Sequence, residues 1–220
     1  MKKQLIATTV LLGSMAASAM AAEVSGNAGF VSEYLFRGLP QTDGNAAAQA
    51  GLDVAYDSGA YLGTWGSSVD NGTDSGVEID LYGGWAGSTG DFNYGIGGTF
   101  YTYTDDVDED YLELNLSGGW KWLTLDVAIG EYDTEPKQDY TFVSLTAEYE
   151  GLYLTYGDFG DDFDGSYLEA GYGDTLTAAG EDLFDWSISV VRSEDKLLGK
   201  TDDDTTLIFG LVKNFDIKFQ

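Results

Sequence analysis

Val77-Glu78-Ile79-Asp80-Leu81-Tyr82 sets apolar side chains at 77, 79 and 81 against carboxylates at 78 and 80. Successive side chains of a β-strand point to opposite faces, so this stretch reads as a strand with one oily face and one acidic face. The same period recurs outward in both directions. Leu112, Leu114 and Leu116 alternate with Glu113, Asn115 and Ser117. Val143, Leu145 and Ala147 alternate with Ser144, Thr146 and Glu148, and Trp186, Ile188 and Val190 alternate with Asp185, Ser187 and Ser189. Twelve such strands are predicted, over 24–37, 47–57, 60–68, 76–86, 91–103, 110–119, 122–131, 139–149, 152–158, 165–173, 184–192 and 204–217. No stretch between them carries an apolar pattern of helical period.

The connections alternate in character. Short ones at 58–59, 88–90, 120–121 and 150–151, with a longer one at 174–182, take turns with acidic loops at 38–46, 70–75, 105–109, 132–138, 159–164 and 193–203. Short turns at one end and long loops at the other mark a transmembrane barrel. An even strand count puts both termini at the short-turn, periplasmic end. Aromatic pairs flank those turns: Tyr56 and Tyr61, Trp85 and Tyr94, Trp120 and Trp122, Tyr149 and Tyr153, Tyr172 and Trp186. Rings with an apolar body and a polar tip settle at the headgroup level, which predicts an aromatic girdle. The fold class expected is therefore all-β, a closed antiparallel up-and-down transmembrane β-barrel of about 12 strands.

The N-terminus reads as a removable leader. Lys2 and Lys3 precede an apolar run over residues 5–12, and Ala19-Met20-Ala21 forms a small-residue cleavage signal. Residues 1–21 are assigned to a signal peptide and 22–220 to the barrel domain, with the cell outer membrane as its destination. At the other end Phe219, one residue before the terminus, stands close to the terminal aromatic common in such barrels.

Composition removes several function classes. The chain carries 38 Asp and Glu against 10 Lys and Arg, a net charge of −28, which opposes binding to phosphate-rich nucleic acid. Cysteine and histidine are absent, so disulfides, thiolate chemistry, imidazole–zinc sites and Ser-His catalysis are excluded. No enzyme activity, cofactor or resident metal is expected. Gly199-Lys200-Thr201 resembles the end of a phosphate-binding loop, but Glu194 stands where its first glycine belongs. The acidic runs at 105–109, 161–164 and 202–204 do not follow the spacing of an EF-hand; they read as a solvated rim able to attract divalent cations beside lipopolysaccharide.

A charge on the lipid face costs about 2–4 kcal/mol at mid-membrane, so strand acids should point inward. The expected pore-lining residues are Glu33, Arg37, Asp53, Glu78, Asp80, Glu113, Asp126, Glu148, Glu169 and Asp185. Such a lumen favours cations or neutral solutes over anions. Twelve strands lie between barrels filled by side chains and barrels that hold a water channel, so a diffusion channel and a closed structural or interaction barrel with acidic loops both remain open. The partners expected are outer-membrane lipid, lipopolysaccharide and small solutes.

The opening of the mature chain carries a resemblance. Ser32-Glu33-Tyr34-Leu35-Phe36-Arg37-Gly38-Leu39-Pro40-Gln41-Thr42, then Gln49-Ala50-Gly51-Leu52-Asp53, then Gly59-Ala60-Tyr61-Leu62-Gly63-Thr64-Trp65 resemble the TorF family of Gram-negative outer-membrane porins. Glu78-Ile79-Asp80-Leu81-Tyr82-Gly83-Gly84-Trp85 continues the likeness. Pro40 replaces a usual serine, and the second half matches mainly in pattern. The resemblance implies an outer-membrane protein with a porin-like role and names no solute. Matching Phe36-Arg37-Gly38 to it suggests that Arg37 sits at the outer mouth, either near Asp43, Asp57 or strand acids and anchoring the first loop by ion pairs, or as an exposed rim arginine.

Overall fold

The computed structural model describes residues 22–218. The predicted leader over residues 1–21 and the penultimate Phe219 lie outside the described residues. The chain runs through β1 (Glu23–Val31), β2 (Leu35–Phe36), β3 (Leu39–Pro40), β4 (Ala47–Ala55), β5 (Ala60–Asp70), β6 (Ser75–Thr89), β7 (Phe92–Tyr103) and β8 (Tyr111–Trp120). It continues through β9 (Leu123–Tyr132), β10 (Gln138–Tyr149), β11 (Leu152–Asp161), β12 (Gly165–Ala178), β13 (Glu181–Ser193), α1 (Asp195–Leu198) and β14 (Asp204–Ile217). Twelve of the strands pair antiparallel with their sequence neighbours, and β1 closes the ring by pairing with both β4 and β14. The closing seam runs from Val24 opposite Ile217 to Val31 opposite Gly210.

The alternation read from the sequence decides which side of the wall each residue occupies. Leu52, Leu62, Val77, Ile79, Leu81, Leu114, Leu145, Leu154 and Ile188 all face outward, Leu81 at 54% exposure. Gln49, Ser67, Glu78, Asp80, Thr99, Glu113, Ser144, Thr155 and Ser189 face inward and are buried. An aqueous protein would bury the first set and expose the second. Here the order is inverted, with an apolar belt outside and polar groups within. Aromatic rings in the inward phase lie flat over glycines of the neighbouring strand. A Cβ on Gly130 would meet the Tyr140 ring at 2.2 Å, and one on Gly63 would meet Tyr82 at 2.4 Å.

Three expectations about strand ends and connections need correction. The first strand was predicted over 24–37, but β1 stops at Val31, and the chain then turns into the barrel as the small hairpin β2–β3, with Phe36 opposite Leu39. The tenth connection, expected to be long, is a two-residue turn. Ala179 and Gly180 take φ of 54° and 84°, the left-handed pair that matches strand twist in a tight hairpin. The last long loop, read as free of helix, holds the single turn α1 with Gly199 as its left-handed C-cap. With the tenth connection shortened, every turn at the short end is tight and every long loop lies at the other end.

The aromatic pairs also divide. Tyr56, Trp85, Tyr94, Trp120, Trp122 and Tyr149 are exposed on the outside near the short-turn end. Tyr61 and Tyr153 lie in the inward phase instead: the Tyr61 hydroxyl sits 2.4 Å from where a Cβ on Gly97 would be, and the Tyr153 hydroxyl donates to Glu169. Their strand parity, opposite to that of Leu62 and Leu154, fixes this.

Candidate functional site

The first long loop, residues 32–46, fills the outer half of the lumen. Tyr34 and Leu35 are buried. The loop is braced by its own bonds, Tyr34 N–H to Thr42 Oγ1 at 3.0 Å and Gln41 N–H to Tyr34 carbonyl at 2.8 Å. Leu35 packs into an aromatic cluster of Tyr140, Phe142, Phe159 and Tyr167, while Tyr34 packs with Ala47 and Val69 and meets Trp65 edge to face. Across the tip, Ser193 Oγ donates to the Gly38 carbonyl at 2.7 Å. Gly38 has φ 82° and leaves room for a Cβ only 2.7 Å from Tyr167, so the tip needs glycine both for its backbone and for its fit.

Arg37 is the centre of this arrangement. Its Nη1 and Nη2 reach Glu113 Oε1 and Oε2 at 2.5 and 3.0 Å, the two-pronged geometry a guanidinium and a carboxylate share. Glu113 is 2% exposed and also accepts from Tyr140 Oη at 2.6 Å, Asn115 Nδ2 at 2.8 Å and Tyr101 Oη at 3.0 Å. The guanidinium carbon lies 4.6 Å from the Phe36 ring centre and 4.4 Å from that of Phe142, a cation held between two aromatic faces. The Arg37 side chain keeps 15% exposure although its partner carboxylate has none. Arg37 therefore does pair with a strand acid. Asp57 lies at the opposite end of the barrel, and Asp43 is exposed on the far limb of the loop.

Glu78 and Asp80 stand on the wall beside this pair. They are 1% and 5% exposed, and Tyr34 Oη donates to Glu78 Oε1 at 3.2 Å. Glu78 Oε2 and Asp80 Oδ1 find no donor among the described residues.

The remaining predicted residues do not join this cluster. Asp53 accepts from Tyr82 Oη at 2.6 Å, Glu169 from Tyr153 Oη at 2.6 Å, and Asp185 from Thr175 Oγ1 at 2.5 Å and Asn214 Nδ2 at 2.8 Å. Asp126 stands opposite Ser117 of β8, and Glu148 is exposed near the short-turn end. Asp53, Asp126 and Asp185, half-exposed, and Glu148, exposed, therefore line the inner half as an acidic vestibule. Glu33 was counted as a strand residue, but it lies past the end of β1, at the outer rim with Pro40, Asp43, Lys200 and Asp204. Partial burial, and next the Asp204 carboxylate, push the Glu33 carboxyl above its ordinary range.

Sequence reasoning missed Tyr34, Phe36, Tyr101, Tyr140, Phe142 and Ser193 as parts of the site. One signal was available: Tyr140 and Phe142 occupy the polar phase of β10, two large rings where Ser144 and Thr146 follow.

Taken together, fold and site define a closed twelve-stranded antiparallel barrel, apolar outside, acidic within, and capped at one end by its own first loop. The chain belongs to the family described as "Bacterial protein of unknown function (Gcw_chp)", whose sequence model matches residues 15–201. No curated protein matches it. The family description assigns no activity.

Proposed function

We propose that this protein is a bacterial outer-membrane barrel that passes small cations or neutral solutes through a lumen restricted by its first loop. The observation that carries the reading is the inversion of polarity across the wall: leucine, isoleucine and valine outside, carboxylates inside. Hydrocarbon is the solvent that stabilises the first face, and a water-filled path suits the second. The acidic vestibule has a negative potential that concentrates cations and repels anions. The resemblance of the opening motifs to TorF porins supports the same reading. Lipid and lipopolysaccharide are the surrounding partners, with divalent cations screening the acidic rim, and no catalytic step is assigned to the chain.

Arg37 favours a second reading specifically, because a bonded plug is what a closed structural barrel would carry. Planar-bilayer recording of the purified mature chain separates the two. Small discrete steps with cation selectivity are expected, enlarged in Arg37→Ala. Anion selectivity overturns the reading, and silence of both wild type and variant establishes the closed barrel. Recovery in the soluble envelope fraction would remove both.

A further inference from the structure

We infer that the barrel wall around Glu113 is a binding site for guanidinium compounds, and that Arg37 is its tethered occupant. The wall supplies every element such a ligand needs without help from the first loop. Glu113 presents both carboxylate oxygens, and Tyr140, Tyr101 and Asn115 hold it in place by donating to it. Phe142, two strands away on β10, offers the flat face on which the guanidinium lies at 4.4 Å. A compact ammonium can satisfy the charge but not the fork, so the site selects a planar cation.

Access comes from the inner half. Asp53, Asp126, Glu148 and Asp185 line that half. The acids concentrate solute cations in that half, below an Arg37 side chain that keeps 15% exposure. A guanidinium compound arriving at that point competes with Arg37 for Glu113. Displacing Arg37 removes the loop's charged anchor and leaves the Ser193 bond to Gly38 and the Tyr34 bond to Glu78. The site thus couples the class of solute to the opening of the loop, and in this it rests on the channel reading above.

The test uses calorimetry on the refolded mature chain with agmatine and with putrescine, two dications of which only the first has a guanidinium. Arg37→Ala is expected to bind agmatine about ten-fold more tightly than putrescine, and more tightly than wild type, where the tethered side chain competes. Adding Glu113→Gln to Arg37→Ala should abolish the preference. Should Arg37→Ala refold poorly, refolding yield is read instead: agmatine restores it and putrescine does not. Equal effects of the two dications, or a preference that survives Glu113→Gln, overturn the site. Binding is measured without conduction, so a silent barrel that prefers agmatine defeats the channel alone. A conducting barrel without the preference defeats the site alone.

Discussion

The two halves of the lumen are built from the same strands and the same alternation, yet they are opposite in character. Toward the long loops, inward side chains are buried: Glu78, Ser67, Glu113, Tyr140 and Phe142 have almost no contact with water. Toward the short turns, Asp53, Ser117, Asp126, Thr146 and Asp185 are half-exposed, and Glu148 is exposed. The first loop makes the difference. It carries apolar and cationic side chains into the outer half and leaves the inner half to solvent. A carboxylate in the outer half depends on fixed donors, as Glu113 does on Arg37. One in the inner half has water as its alternative partner. The same residue type is therefore structural at one height and electrostatic at another.

The largest test of that contrast is Glu113→Ala. It leaves the Arg37 guanidinium in a buried site without its carboxylate, and breaking a buried pair from one side costs about 3–5 kcal/mol. Urea unfolding of the refolded barrel should show a loss of that size. A loss within about 0.5 kcal/mol, the range of an ordinary surface change, would mean that the outer half is as hydrated as the inner. Next comes the belt that both halves share. Leu145→Arg, at mid-height on the outer face, should destabilise by about 2–4 kcal/mol in lipid bilayers, whereas Leu152→Arg at the short-turn rim should cost about 0–1 kcal/mol. Equal effects at the two heights would show that hydrocarbon does not surround the wall.

Paired hydroxyl deletions sharpen the contrast on a smaller scale. Tyr140→Phe removes a 2.6 Å bond to Glu113, and Tyr82→Phe removes a 2.6 Å bond to Asp53. Hydrogen bonds to charged groups are worth about 1.5–3 kcal/mol when nothing replaces them. The Tyr140 variant should fall at the low end of that range, because Arg37, Asn115 and Tyr101 still serve Glu113. The Tyr82 variant should lose less, since water can reach Asp53. Chemical denaturation of the two side by side checks the order.

The wall was legible in the sequence because period two is a local signal, visible in Val77, Ile79 and Leu81 without knowledge of any partner strand. Inward placement of the strand acids follows from the same parity. The plug was not legible. Tyr34, Leu35 and Phe36 interrupt the alternation, and a run of apolar residues after a strand reads as more strand; hence the prediction that it reached residue 37 when β1 ends at Val31. The loop turns inward for reasons that lie far along the chain. Glu113 is 76 residues from Arg37, and Ser193 is 155 from Gly38. Likewise Tyr61 and Tyr153 were placed in the girdle by their nearness to turns, when parity along β5 and β11 sends them inward.

The smallest expected effect is the most discriminating for function. Asp126 sits in the inner half opposite Ser117 of β8, a neighbour that an amide can serve as well. Asp126→Asn should change stability by no more than about 0.5 kcal/mol, because the isosteric amide fills the same space. On the proposed channel reading it removes one of the charges that set the potential of the vestibule, so the ratio of cation to anion permeability should fall while step size stays near that of wild type. Reversal potentials under a salt gradient read this directly. Unchanged selectivity in Asp126→Asn, together with a large change in Glu113→Gln, would place the selective field at the plug rather than in the vestibule. The two halves would then exchange the roles assigned to them.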